Sequence, residues 1–562
     1  MTPRAGRIVA CTAALALTGT LALAPAAQAA GDGLAFDDPQ PGFAAASTVL
    51  TTAEPEELGL DGARLDAAWD QVRSYTSPQG TEEHARIPGA VLTQGHDGAV
   101  VFQEATGYAV LYGPGQQVLP EAERVPTTTD TVYDMASVSK LFTSIVVMQQ
   151  VEAGRLALDE PVASYVPEFA ENGKGAITVR QLLTHTSGLP AWLPLWSSQP
   201  DIPSRIHAAL TARTVTEPGS TYTYSDLNLI TLGEAAARVS GTPLDTLVAE
   251  GITEPLGMVD TGYNPDASQL PRVAATEEQT TPPRGVVRGE VHDENAWSLG
   301  GVAGHAGIFS TADDMAVLAQ TMLNGGAYDG ARILTEQSVE EMITNENTEF
   351  PGDDHGLGFE LDQRWYMGGL AAPRTAGHTG YTGTSLVIDF ASRSFTILLT
   401  NRVHPSRSWG SVNPLRVAAA QGLAEALPVR PRHGGDAWFS GTGHRLDSSL
   451  SWSVPVTRAG TSLQFDAFID TESTDQLHLE VSTDRGETWE ELPWTLDGVP
   501  VTGGYAASGL RQWQQGSAVL PEGRVVVRWR YTSDSSLSGR GIYLDGIQLR
   551  TARGVVHSAE RS

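Results

Sequence analysis

Ser137-Val138-Ser139-Lys140, followed by apolar Leu141, Ile145, Met148 and Val151, sets a serine and a lysine one turn apart at the start of a buried helix. Lys140 is one of two lysines, the other being Lys174, among 36 Lys and Arg residues. Arginine serves almost everywhere that cationic charge alone is needed. A guanidinium does not deprotonate in a protein, whereas a desolvated lysine amine can. Lysine-specific chemistry is therefore expected at Lys140, with Ser137 as its client. A helix N-terminus also favours a developing alkoxide, and a backbone N–H there can donate to an oxyanion. A serine hydroxyl is a weak nucleophile until a base removes its proton. Two bases are open: Lys140, if its pKa is depressed, and a tyrosine.

The tyrosine comes from Glu217-Pro218-Gly219-Ser220-Thr221-Tyr222-Thr223-Tyr224-Ser225-Asp226, a loop leading into a helix near 228–240. Further downstream, Gly377-His378-Thr379-Gly380-Tyr381 opens a hairpin whose strands run over 384–388 and 394–399, around Ala391-Ser392-Arg393. An earlier hairpin pairs Ala90-Val91-Leu92 with Val100-Val101-Phe102 across Gly95-His96-Asp97-Gly98. Helices are expected behind the cap Asp61, over 312–324 behind Ser310 or Thr311, and over 415–426. No Gly-x-Ser-x-Gly elbow occurs, which argues against an α/β-hydrolase.

Three motifs in this order, with Leu182-Leu183-Thr184-His185-Thr186-Ser187-Gly188-Leu189-Pro190 between them, resemble the serine β-lactamase and penicillin-binding superfamily, in its class C-like branch of carboxypeptidases and esterases. The resemblance covers about residues 57–425. It implies an α+β fold: a five-stranded antiparallel sheet flanked by helices, a helical subdomain, and the site between them. It implies Ser137 as the acylated nucleophile, with Lys140 and Tyr224 sharing the base and acid work. His378, Thr379 and Gly380 would line the cleft's edge strand, and the N–H groups of Ser137 and Tyr381 would form the oxyanion hole. Asp226 stands where the family usually has Asn; its charge should favour the ammonium form of Lys140 and push proton abstraction toward Tyr224. His378 replaces the commoner Lys and is expected to be largely neutral near pH 7.

A further run, Gly289-Glu290-Val291-His292-Asp293-Glu294-Asn295-Ala296-Trp297 with Gly300 to Gly307, is similar to a bacterial subgroup that includes muropeptide amidases. Its His292, Asp293 and His305 are read as lining or bracing the cleft. No His-Glu-x-x-His or comparable spacing occurs, so neither metal nor cofactor is expected. His185 is read as ordering its own turn. Ser139 is read as a helix residue only. Trp192, Trp196 and Trp297 form either a substrate rim or core.

The chain has 562 residues, 41% hydrophobic and 18% charged, with net charge −30. That is enough apolar sequence for a packed core. The acidic balance argues against nucleic acid or anionic membrane as partner. Residues 1–29 read as a secretory signal: Arg4 and Arg7, an apolar run over 8–23, then Ala27-Gln28-Ala29. The single cysteine, Cys11, lies inside it, so a secreted, extracellular chain would have no disulfide. Residues 30–56 are expected to be a flexible lead-in, 57–426 the serine hydrolase domain and 427–435 a linker.

Beyond the linker the pattern alternates: Leu463, Phe465, Ala467 and Ile469, then Leu477, Leu479 and Val481, then Val525, Val527, Trp529 and Tyr531. This predicts an all-β sandwich over 436–553, before a tail at 554–562. The module resembles sandwich domains appended to secreted peptidases of the immune inhibitor A type. Ser482 to Trp489 looks like one sialidase Asp-box, but a propeller needs the unit in every blade, so a structural turn is expected. Asp447, Asp466, Asp470 and Trp452 are candidates for glycan or calcium, with turns and core packing as the simpler account.

The expected function is a secreted serine hydrolase that cleaves an amide or ester of cell-wall peptide or muropeptide through a Ser137 acyl-enzyme. Its substrate would be a small molecule or peptide, with cell-wall polysaccharide as a further partner of the C-terminal domain. A β-lactamase is the second reading. A penicillin-binding sensor or glycan-binding protein with little turnover is the third.

Overall fold

The two hairpins form the centre of the sheet in the computed structural model, which describes residues 33–559. Strands β1 (Gly89–His96) and β2 (Ala99–Val110) turn at Asp97-Gly98, with φ of +43° and +84°. Such a two-residue turn matches the twist of its strands, and glycine adopts it without strain. Strands β3 (Thr375–Thr379), β4 (Ser385–Asp389) and β5 (Ser394–Thr400) complete the order β2-β1-β5-β4-β3, each pair antiparallel. Short additions make the whole sheet mixed. Thr51–Thr52 runs parallel to β2, and Glu360–Leu361 runs antiparallel to β3 on its outer side.

β1 is buried at every position because helices cover both faces. Ala90 and Leu92 pack with Trp69, Val72, Leu398 and Leu415 beneath helices α1 (Gly62–Ser74) and α5 (Asn413–Ala426). Val91, Phe395, Ile397 and Leu399 point the other way. They join a larger core with α2 (Ser139–Glu152), α3 (Asp226–Ser240) and α4 (Ala312–Leu323). Each such side chain contributes about 1.5–3 kcal/mol on burial. Gly95 is a required gap: a Cβ there would lie 2.2 Å from the Phe395 ring. Asp61 caps α1 through Ala63 N–H, and Thr311, rather than Ser310, caps α4 through Asp314 N–H.

The C-terminal module is a separate all-β unit. One sheet sets β7 (Ser462–Asp470) between β11 (Gly541–Thr551) and β9 (Trp513–Val519). The other sets β10 (Gly523–Thr532) between β6 (Asp447–Val456) and β8 (Gln476–Ser482). The alternating residues read from sequence all enter its core. In the turn after β8, Asp484 accepts from Glu487 N–H, Thr488 N–H and two hydroxyls, a self-contained knot of hydrogen bonds. The candidate ligands here are committed internally. Asp447 holds Arg530, Asp466 contacts His433 and Arg432, and Asp470 accepts from Gly509 and Arg540 N–H groups. Trp452 stacks on His557.

The expectation of a flexible lead-in needs correction. The described part of the lead-in is a strap, not a free arm. Phe36 is 1% exposed, sits T-shaped to Phe468 and lies under the Arg511 guanidinium at 4.2 Å. Its N–H donates to Pro428 O, and Gln40 and Ala44 bond to Ala391 O and Leu323 O. Residues of the 427–435 stretch are equally engaged: Leu427 O accepts from Arg540, and Arg430 N–H donates to Asp37. Phe36 burial and these backbone bonds dock a lead-in that composition alone marks as loose. The signal segment lies outside the described residues.

Two buried imidazoles tie the sheet's ends and must stay neutral. His404 accepts from Leu111 and Tyr112 N–H at Nε2 while donating from Nδ1 to Thr276 O. Burial pushes His404 and His96 down to about 4. The unfolded chain therefore binds more protons than the folded one between pH 4 and about 6.5. Their contribution is complete above that window and lost as pH falls through it, at about 1.4 kcal/mol per pH unit for each. Urea unfolding at pH 7, 5.5 and 4.5 should show stability dropping with at least a two-proton slope. A flat profile contradicts the assignment.

Candidate active site

Ser137 lies in a 3-10 turn, Ala136–Val138, that runs directly into α2. Ala136 carries φ of +47°, an uncommon conformation for a side-chain-bearing residue. The surroundings hold it there. Asp134 accepts from Ala136 N–H at 2.8 Å and from His292 N–H at 2.6 Å, while Met135 N–H donates to Ile308 O. From the sheet, Thr382 and Thr384 hydroxyls donate to Asp134 O and Met135 O. Gly380 is where the end of β3 crosses this turn; a Cβ there would lie 2.4 Å from Met135 O. Ser139 Oγ accepts from Ile308 N–H, fixing the helix to the short strand Ile308–Ser310.

Lys140 is 1% exposed. Its Nζ donates to Ser137 Oγ at 2.9 Å and His305 O at 3.3 Å, pairs with Asp226 Oδ1 at 2.8 Å, and sits 4.7 Å from the Tyr224 ring centre. Burial opposes its charge, but Asp226 and Tyr224 outweigh burial and raise its pKa. Lys140 is an ammonium. Of the two bases left open by the sequence, this charge state favours Tyr224, in line with the expected effect of Asp226. Burial pushes Tyr224, which hydrogen-bonds to Lys140 and Ser137, up to about 12 against the pull of Lys140. Lys174 has a plain structural setting, donating to Glu171 O and lying over Phe169.

His185 does more than order its own turn. Its φ is +57°, and its Nδ1 accepts from Ser225 N–H at 3.1 Å and contacts Asn228 at 3.0 Å. Its carbonyl accepts from Thr223 N–H, and its ring lies 4.7 Å from that of Tyr224. It thus holds both residues beside Tyr224. His378 does not line the cleft: it is 1% exposed, packs 6.0 Å behind Tyr224 and donates from Nδ1 to Thr379 O. Burial and Lys140 press it down to about 3, so it is neutral. Period-two alternation along β3 turns His378 to the face opposite Thr379. Thr379, Gly380 and Tyr381 do line the opening with Ser137 and Tyr224.

His305 braces the site from the Gly-rich loop. Its Nε2 meets Asp293 Oδ1 at 2.9 Å, and Asp293 also caps the helix Glu294–Ser298. His292 pairs with Glu277 at 3.0 Å. Asp226, Asp293 and His305 present ligand atoms within 4.8 Å of one another, but Lys140 already occupies Asp226 and Asp293 holds His305. Trp192, 44% exposed, lines a cavity of about 320 Å³ beside Ser137. Trp297 carries Arg284 on its ring, and Trp196 N–H bonds Asn295.

The main cleft, about 660 Å³, includes residues that motif reading missed: Tyr222, Glu360, Trp365, Arg402, Arg407 and Arg416. One sequence signal was present for Arg416, a lone inward arginine in an Ala- and Leu-rich helix. Glu360 and Arg402 carried none.

A serine held at a helix entrance by lysine and tyrosine, on a helix-flanked antiparallel sheet, defines a serine hydrolase of the penicillin-recognising type. The chain belongs to the beta-lactamase family, whose model matches residues 72–421. A protein of Escherichia coli O157:H7 named "Putative D-alanyl-D-alanine carboxypeptidase" is 34% identical over 409 residues, 66% of this chain and 90% of that one. A protein of the same name from Salmonella typhimurium is 33% identical over 406 residues, with the same coverage. A class C beta-lactamase aligns with TM-score 0.52 and 19% identity, covering 66% of this chain and 96% of its own. A penicillin-binding protein homologue from Caulobacter crescentus gives 0.51 and 23%, covering 65% and 97%. These structural likenesses are to the fold.

Asp226 raises both Lys140 and Tyr224. Asp226→Asn should therefore move the alkaline-rising limb of kcat/KM to lower pH by about one unit or more, whichever group takes the proton. An unmoved pH profile with activity retained contradicts this electrostatic account.

Proposed function

We propose that the protein is an exported hydrolase that cleaves an amide or ester of cell-wall peptide through an acyl-enzyme on Ser137. The observation that carries this reading is the contact of Lys140 with Ser137 Oγ, beside Tyr224, at the floor of an open cleft. The names of the relatives at 33–34% identity support a peptide ending in D-alanine, and the features of residues 1–29 support export.

In the proposed reaction Ser137 Oγ attacks the acyl carbon while its proton passes to the Tyr224 oxygen. Lys140 stays protonated and stabilises that oxygen when it is anionic. The developing oxyanion receives the N–H groups of Ser137 and Tyr381. The proton then moves from Tyr224 to the leaving amine or alcohol as the scissile bond breaks. Water repeats the cycle on the acyl-enzyme and frees Ser137. Because the phenol is held near 12, a small fraction is anionic at neutral pH, and acylation should quicken toward alkaline pH.

Intact-mass analysis after exposure to a fluorophosphonate and to penicillin should show one adduct, absent in Ser137→Ala. A panel of D-Ala-D-Ala peptides, muropeptides, short esters and a chromogenic cephalosporin then ranks substrates, with peptides expected at least about tenfold ahead in kcat/KM of the cephalosporin. An adduct that persists in Ser137→Ala overturns the mechanism. Cephalosporin turnover ahead of every peptide overturns the substrate assignment.

A further inference from the structure

The peptide that joins Gly380 to Tyr381 is held at one end and open at the other. Its N–H, on Tyr381, donates to no protein group among the described residues. Its carbonyl, on Gly380, is doubly occupied. Gly383 N–H donates to it at 3.0 Å across a tight turn, and Arg416 Nη2 donates to it at 2.6 Å. A carbonyl has two lone pairs, so this one is saturated. The peptide is trans, and a trans peptide is planar with its N–H and C=O opposed. Fixing the oxygen therefore fixes the direction of Tyr381 N–H. Ser137, Gly380 and Tyr381 line the cleft together.

Anchoring alone does not call for a guanidinium. Arg416 sits in the first turn of α5, 7% exposed, and its acceptors are all neutral: Gly380 O, Thr384 O at 3.0 Å and Asn413 Oδ1 at 2.9 Å. Its Nε is buried without a partner, and among the described residues no carboxylate lies within ion-pairing distance. Burial lowers its pKa to about 10, so the charge persists at neutral pH. An uncompensated buried charge is costly, whereas a neutral amide could meet the same carbonyls. That cost is explicable when negative charge develops close by during the reaction. Hydrogen-bonded groups polarise one another, so a cation on the carbonyl strengthens the N–H at the far end of the same amide as a donor. Arg402 donates to the following carbonyl, Tyr381 O, at 3.1 Å and steadies the turn without bonding this peptide.

We propose that Arg416 is a positioning residue for the oxyanion: it holds the Gly380–Tyr381 peptide and transmits its charge through that amide to the acyl oxygen of the tetrahedral intermediate. The assignment deepens the acyl-enzyme reading and rests on it for the place of the oxyanion. One amide and two hydrogen bonds separate guanidinium from oxyanion, a path of roughly 8 Å. Arg416 acts without touching a reacting atom. Its effect grows as charge builds on the acyl oxygen, so it falls on the transition state and not on substrate binding.

The test compares p-nitrophenyl butyrate with its thionoester, in which sulfur, a weak hydrogen-bond acceptor, replaces the acyl oxygen. Neither carries a charge, so no contact of Arg416 with a substrate carboxylate enters the comparison. Arg416→Gln keeps an N–H donor without the charge. It should lower kcat/KM for the ester by at least about tenfold, short of the roughly 10²–10³ lost with a whole oxyanion donor. The loss on the thionoester should be at least about threefold smaller, because sulfur draws less from the donor. Arg416→Lys should restore most of the ester's rate. A merely structural role would slow both substrates alike. Should Arg416→Gln not fold, Asn413→Ala, which frees Nη1, should shift the ester-to-thionoester ratio in the same direction. Should neither ester turn over, fluorophosphonate labelling of Ser137, whose phosphoryl oxygen takes the same position, should slow in the same variants. An unmoved ratio, or labelling that is not slowed, overturns the role of Arg416 and leaves the acyl-enzyme reading standing. Ester hydrolysis that survives Ser137→Ala overturns both.

Discussion

The ammonium of Lys140 is the constraint around which the catalytic half is arranged. Taking a charge of that size out of water costs several kcal/mol even in a relaxed protein, so its partners have to be placed without error. They come from three separate parts of the chain: Ser137 at the entrance of α2, the Tyr224 ring and Asp226 where a loop enters α3, and the carbonyl of His305 in the Gly-rich loop. The supporting residues are explicable as holders of these partners. His185 fixes the loop that ends in Asp226, and Asp293 fixes the loop that offers His305 O. The pairing with Asp226 also favours the cationic form of Lys140, whose charge lies beside the Tyr224 ring.

Much of this was legible in the chain because it is local. The Ser-x-x-Lys turn, the Tyr224-Ser225-Asp226 loop and the strand ending in Gly380 each announce themselves by spacing over fewer than ten residues. Both hairpins and the caps at Asp61 and Thr311 are local as well, and all formed where periodicity put them. Four of the five antiparallel strands could be read as two hairpins, and the resemblance supplied the count of five. The two-residue strands at Thr51 and Glu360 could not, since two residues carry no period.

What stayed hidden was non-local. His378 reads as a cleft residue by its motif, yet its side chain is buried behind the Tyr224 ring. Glu360 and Arg402 line the cleft only through long-range pairing and packing, which no local pattern records. The protonation state of Lys140 depended on whether Asp226 actually touched it; sequence could name the residue and not the 2.8 Å contact.

The β-sandwich is bound to the hydrolase by a charge in the dark. Arg511, 1% exposed, bonds Asp389 at the end of β4 and Leu370 O, and it roofs the ring of Phe36. The niche that receives the thirty-sixth residue is walled by Leu370, Leu427, Phe468, Arg511 and Arg540. During synthesis that niche does not exist until nearly the entire polypeptide has left the ribosome. Docking of Phe36 thus depends on the sandwich segment that carries Arg511 and Arg540, which ties the folded amino-terminal strap to residues far along the chain.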